Sequence, residues 1–204
     1  MAILTLITGA LSTACKIAAT VIKISGVLEV IKIVGRALCE IGQALGILPP
    51  DKNMEDIGDQ VSQAEAAGIT PEKYSTYEDY KKAVENFEVD PEKSKAMKQA
   101  DKIQKGLEYE ALGFALKYPE LPVENIFKTV AQHYNYFTPE RSKALAPYLT
   151  ENVELIGDIA NYMSGKEKNS GKIDAVFSVL SNIEKQIQPG ISDSEAQKRI
   201  MSSL

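Results

Sequence analysis

Polar side chains near the start of the chain recur at helical spacing: Thr5, Ser12, Thr13, Lys16, Thr20 and Lys23. At about 100° per residue they gather on one side, with Ile3, Leu4, Ile7, Leu11, Ala14, Ala18 and Ile22 largely opposite. A second stripe follows at Glu29, Lys32, Arg36, Glu40 and Gln43. On one unbroken helix it would lie almost diametrically across from the first. The phase jump coincides with Ser25-Gly26, where a break costs little. The pattern therefore predicts two amphipathic helices over 3–24 and 26–47, an apolar N-terminal helical hairpin that Pro49-Pro50 ends.

Beyond the prolines the pattern turns polar, with recurring helix-start signals. Thr70-Pro71-Glu72, Asp90-Pro91-Glu92 and Thr138-Pro139-Glu140 each place a capping side chain before a proline and an acid. Proline fits the first helical position because its missing N–H has no partner there, and the acid suits the positive helix end. Thr76-x-x-Asp79 and Ser192-x-x-Glu195 read as capping boxes. Helices are predicted over 53–67, 76–86, 91–117 with a break near Lys105-Gly106, 122–136, 139–148, 150–164, 172–188 and 192–203. No stretch carries sustained strand alternation. The expected fold is all-α, a multi-helix bundle of about ten short to medium helices. Two units are expected: residues 1–48 as an apolar leader, open to being part of the core, and 51–204 as an acidic helical body. A leader packed on its own protein would be shielded by the C-terminal helices.

Composition narrows the function classes. A hydrophobic content of 44% with 25% charged residues is that of a globular chain. The net charge of −5 divides unevenly: four basic and two acidic residues up to position 50 leave the leader at +2, and 19 basic against 26 acidic leave the rest at −7. An acidic body is the wrong sign for a nucleic-acid surface. Cys15 and Cys39 read as small side chains of a helical core, and no Cys/His spacing points to a metal. No basic residue precedes the apolar run and no cleavage signal follows it, so the chain is expected in the cytoplasm or exported by a non-classical route. Met1 to Cys15 is short of the roughly 20 apolar residues of a span, and no aromatic precedes Tyr74. A constitutive membrane helix is not favoured.

Candidate contact residues cluster in two places. In the leader, Lys16, Lys23, Lys32 and Arg36 carry charge toward a partner or anionic headgroups, and Gly42 and Gly46 form a close-approach GxxxG spacing. In the body, His133, Tyr134, Asn135, Tyr136 and Phe137 form the most polar-aromatic stretch, a candidate recognition surface. Tyr74, Tyr77 and Tyr80 step by three, a stripe that reads either as a contact for a partner or sugar or, more commonly, as a staple of one short helix onto its neighbour. Carboxylate groups such as Glu55/Asp56/Asp59 and Glu108/Glu110 read as solvated helix faces. No catalytic, cofactor or metal constellation is expected. The sequence thus predicts a non-catalytic interaction or assembly protein that uses its N-terminal hairpin as a protein–protein surface, with self-association included. The alternative is a protein that inserts into or associates with membranes conditionally, pore-forming or effector-like, through the same hairpin.

Overall fold

The computed structural model describes residues 2–203, with side chains from residue 7 onward, so Ile3, Leu4 and Thr5 lie outside its side-chain description. Eleven α-helices and no strand are present among the described residues. They are α1 (Ala2–Ser25), α2 (Leu28–Ala44), α3 (Met54–Ala66), α4 (Tyr77–Glu85), α5 (Pro91–Ala96), α6 (Gln99–Lys117), α7 (Val123–Gln132), α8 (Pro139–Glu151), α9 (Leu155–Met163), α10 (Ser170–Ile187) and α11 (Asp193–Met201). The fold is all-α, as the periodicity predicts.

Local chemistry places most of the helix starts. Asn53, Thr76, Asp90, Thr138, Asn169 and Ser192 each accept a backbone N–H of the first turn, and Ser192 with Glu195 completes a capping box. Thr70-Pro71 is the exception. It opens only a 3-10 turn at Pro71–Lys73, because the chain returns to extended backbone at Tyr74, whose ring packs 5.8 Å from Tyr80. The phase jump in the leader is a real break: Gly26 takes φ +73° between α1 and α2.

Three boundaries differ from the pattern. The break expected near Lys105-Gly106 falls instead at Met97-Lys98, both in extended conformation. Gly106 continues α6 because its missing side chain lets α3 touch it: a Cβ there would meet the Met54 carbonyl oxygen at 2.5 Å. On the facing helix a Cβ at Gly58 would lie 1.7 Å from the Lys102 carbonyl oxygen, so α3 and α6 meet backbone to backbone. The helix expected over 122–136 ends at Gln132, where the His133 carbonyl accepts the N–H groups of Tyr136 and Phe137 in a tight turn. Finally, α8 runs on to Glu151 through Pro147, and α9 starts only at Leu155.

One continuous core joins leader and body. Ala14, Ala18 and Val21 of α1 and Val34, Leu38 and Ile41 of α2 lie in the same buried cluster as Leu107, Phe114, Phe127, Val130 and Leu145. The helix α1 rests on α6 and α7, and α2 on α8 and α6. Shielding by the C-terminal helices is not what covers the leader, since α10 and α11 pack on α8, α9 and each other. Burial of such faces, at roughly 25 cal/mol per Å², is the main stabilising contribution available to a helix assembly.

Two buried ion pairs tie the outer helices down. The Glu184 carboxylate, fully enclosed, accepts from Arg141 Nε at 2.6 Å and Nη2 at 3.1 Å, with Arg199 Nη1 at 3.7 Å. Arg141 also donates to the Tyr136 carbonyl and lies 4.6 Å from the Tyr136 ring centroid. At the other end Asp59 on α3 accepts from Lys102 on α6 at 3.0 Å, from Gln63 at 2.9 Å and from Ser94 on α5. Burial pushes the Asp59 carboxyl up, but the hydrogen bonds from Ser94, Gln63 and Lys102 and the Lys102 charge outweigh it and hold the group below the usual carboxylate range. Asp59 is therefore no member of a solvated face.

Candidate functional site

The apolar-polar division of α1 sends Ile7, Ala14, Ile17, Ala18 and Val21 inward and leaves Gly9, Ser12, Thr13, Lys16, Ala19 and Lys23 exposed. The outward face is therefore smooth, built of small residues with two lysines. Its threonine hydroxyls bond back to the helix itself: Thr13 donates to the Gly9 carbonyl at 3.0 Å and Thr20 to the Lys16 carbonyl at 2.8 Å. At the end of this face the chain turns at Gly26 and presents Ile24, Val27 and Leu28 to solvent at 36%, 61% and 39% exposure. Three large apolar side chains within five residues of a helix corner thus remain uncovered. A groove of about 380 Å³ runs beside α1, lined by Ala14, Ile17, Ala111, Ala115, Leu121 and Val123.

The other leader residues occupy different environments. Lys32 is half-buried and 3.7 Å from Glu29, while Arg36 is exposed and borders two shallow grooves against the loop before α3. Gly42 and Gly46, one helical turn apart, share no surface. Gly42 is buried, and a Cβ on it would meet Glu110 Oε1 at 2.6 Å and Leu48 at 2.9 Å. Gly46 lies beyond the end of α2 with φ +68°, and its carbonyl accepts from Lys117 Nζ at 3.1 Å.

The polar-aromatic stretch divides in the same way. Tyr136 and Phe137 are core residues with rings edge to face at 5.2 Å. His133 and Tyr134 are half-buried and Asn135 is exposed, so the outward part of this segment is these three. Burial lowers the His133 pKa, because a half-buried ring disfavours the charged imidazolium. The tyrosine triplet staples α4 to α6: Tyr74 and Tyr77 flank buried Tyr80, Tyr109 lies 5.8 Å from Tyr80, and the Tyr77 hydroxyl donates to the Ile47 carbonyl.

Sequence reasoning missed Glu110. Read as part of a solvated face, it is instead 0% exposed on α6, and neither carboxyl oxygen finds a hydrogen-bond partner of good geometry. Burial raises its pKa well above the usual carboxylate value, and the Gly42 backbone amide offsets this only in part. The signal was available at helical pitch, because Leu107, Glu110, Ala111 and Phe114 share one side of α6. Glu108 stays partly exposed, where Lys105 bridges it to Glu65 at 3.1 and 2.7 Å.

No three His, Cys, Asp or Glu side chains among the described residues converge as metal ligands. Comparison with family models, with curated proteins and with solved structures finds no match.

Proposed function

We propose that this is a non-catalytic helical interaction protein whose contact surface is the outward face of α1 together with the α1–α2 corner, and whose partner is a protein, in the simplest case a second copy. The observation that carries this reading is the corner itself, where Ile24, Val27 and Leu28 are all exposed within five residues. The smooth face of α1 leads away from that corner, and a separate apolar groove lies farther along the helix at Ala14 and Ile17. Light-scattering mass of the full chain over a concentration series is the test. An oligomer that Val27→Glu with Leu28→Ser converts to a folded monomer supports the reading. A monomer at every concentration removes self-association.

A second reading, membrane contact, is favoured by a separate observation. Ile7–Ser25 is long and apolar enough to cross a bilayer by length and composition, yet only 28% of it is buried. Lys16 and Lys23 lie exposed on the same helix, charges that would suit anionic headgroups were the helix to lie along the interface. Flotation with anionic and with neutral liposomes separates the two readings. Retention on anionic liposomes alone, lost with the same corner substitutions, supports the membrane. Indifference to both lipids removes it.

A further inference from the structure

The carboxyl of Glu110 lies on the seam where the leader docks on the body. It faces Gly42 on α2 and Leu48 just beyond it. The titratable groups around it are few. Cys39 on α2 is a buried thiol pushed up by its own burial and then by Glu110 and Glu40. Glu40 reaches outward to Lys143 of α8 at 3.9 Å. Tyr77 of α4 and Lys117 of α6 are occupied with the carbonyls of Ile47 and of Leu45 and Gly46. None of these stabilises a charge on Glu110. An unpaired ion in such a place is far more costly than a neutral acid, so the docking of α2 on α6 favours the protonated form of Glu110.

We propose that Glu110 is a proton-controlled latch for α2: protonated, it lets α2 close on α6, and surrender of the proton to solvent favours release of α2 from the body. The segment is framed for such a movement. Gly26 before α2 and Gly46 after it both hold positive φ, and Pro49-Pro50 separates them from α3. The sign follows from linkage. In the released state Glu110 ionises as an ordinary carboxylate, whereas in the docked state it holds its proton to higher pH. Release therefore grows up to tenfold for each pH unit above the ordinary carboxylate range, until the docked group ionises as well. Acid closes the latch; neutral and alkaline conditions loosen it. That the freed helix then serves partner or membrane contact rests on the proposed function above. The latch itself does not.

The test is peptide-resolved hydrogen exchange on the full-length protein between pH 5 and 7, corrected for the intrinsic pH dependence of exchange, for wild type and Glu110→Gln. The α10 amides serve as internal standard. Expected is an opening constant for α2 that rises with pH in wild type, by at most about tenfold per unit, and stays flat in Glu110→Gln. Should Glu110→Gln fail to fold, Glu110→Met is compared in the same way. A flat α2 profile in wild type, an equal slope in the variant, or an equal slope in α10 overturns the latch. Such a failure leaves the corner-dependent oligomer or liposome result standing, and loss of that result leaves the exchange profile standing.

Discussion

Glu110 and Gly42 are matched across the α2–α6 seam: the carboxyl oxygen Oε1 occupies space 2.6 Å from where a Cβ on Gly42 would stand. The acid fits because the glycine has no side chain, and the pairing leaves no room for solvent.

Gly42→Ala is expected to lower stability by about 1–2 kcal/mol, because overpacking against Glu110 and Leu48 exceeds the helix-propensity gain. Gly58→Ala is expected to cost more, about 3 kcal/mol or above, since its Cβ meets the Lys102 carbonyl and the Gly106 amide, backbone that cannot rotate away. Urea unfolding of the two variants ranks them. Equal midpoints would refute the backbone contact between α3 and α6.

The raised pKa of Glu110 sets one slope of the stability curve. Its folded value lies above its unfolded one, so its contribution is complete below the unfolded pKa and is lost as pH rises through the folded one. Glu110→Gln should gain little at pH 4 and become progressively more stable than wild type toward pH 8. Thermal midpoints measured at unit pH steps check this; a constant difference between the two proteins would contradict it.

Asp59 works with the opposite sign. Its folded pKa is depressed, so its contribution is present above the unfolded value and lost as pH falls through the folded one. At pH 7 Asp59→Asn is expected to destabilise by about 3 kcal/mol, through loss of the buried partner of Lys102. The deficit relative to wild type should close in acid. Limited proteolysis should find α5 the first element released, since Ser94 holds it to Asp59.

Removing the guanidinium from the Arg141–Glu184 pair leaves a fully buried carboxylate with only the more distant Arg199 at 3.7 Å. Arg141→Met alone should cost about 3–5 kcal/mol, and Arg141→Met combined with Glu184→Leu should recover most of it. Chemical denaturation of the single and double variants completes the cycle; a strictly additive pair would show that the two side chains do not act together.

A chain beginning at Asp51 loses Val21, Val34, Leu38 and Ile41 from the shared core. It is expected to keep helical far-UV dichroism, lose near-UV dichroism and bind a hydrophobic dye, the behaviour of an unpacked helical state. A cooperative melt for that chain would show that the body folds alone.

The sequence by itself determined the helical class and most of the element starts. Those depend on interactions within a few residues: side-chain caps at Asn53, Thr76, Asp90, Thr138 and Ser192, the break at Gly26, and apolar spacing at 3.6 residues per turn. Where a boundary rested on distant atoms, local pattern misled. Gly106 resembles a break, yet Met54 and Gly58 from another helix make it a contact. Glu110 and Asp59 look like solvated acids from their neighbours in sequence, yet one is sealed against Gly42 and the other caught by Lys102, 43 positions away. Only the tertiary structure decided which face of each helix is covered, which acid is pushed toward its protonated form, and that Ile24, Val27 and Leu28 remain outside. The physical reason is that burial and ionisation are set by whatever atoms arrive from other elements, and the chain order of residues does not carry that information.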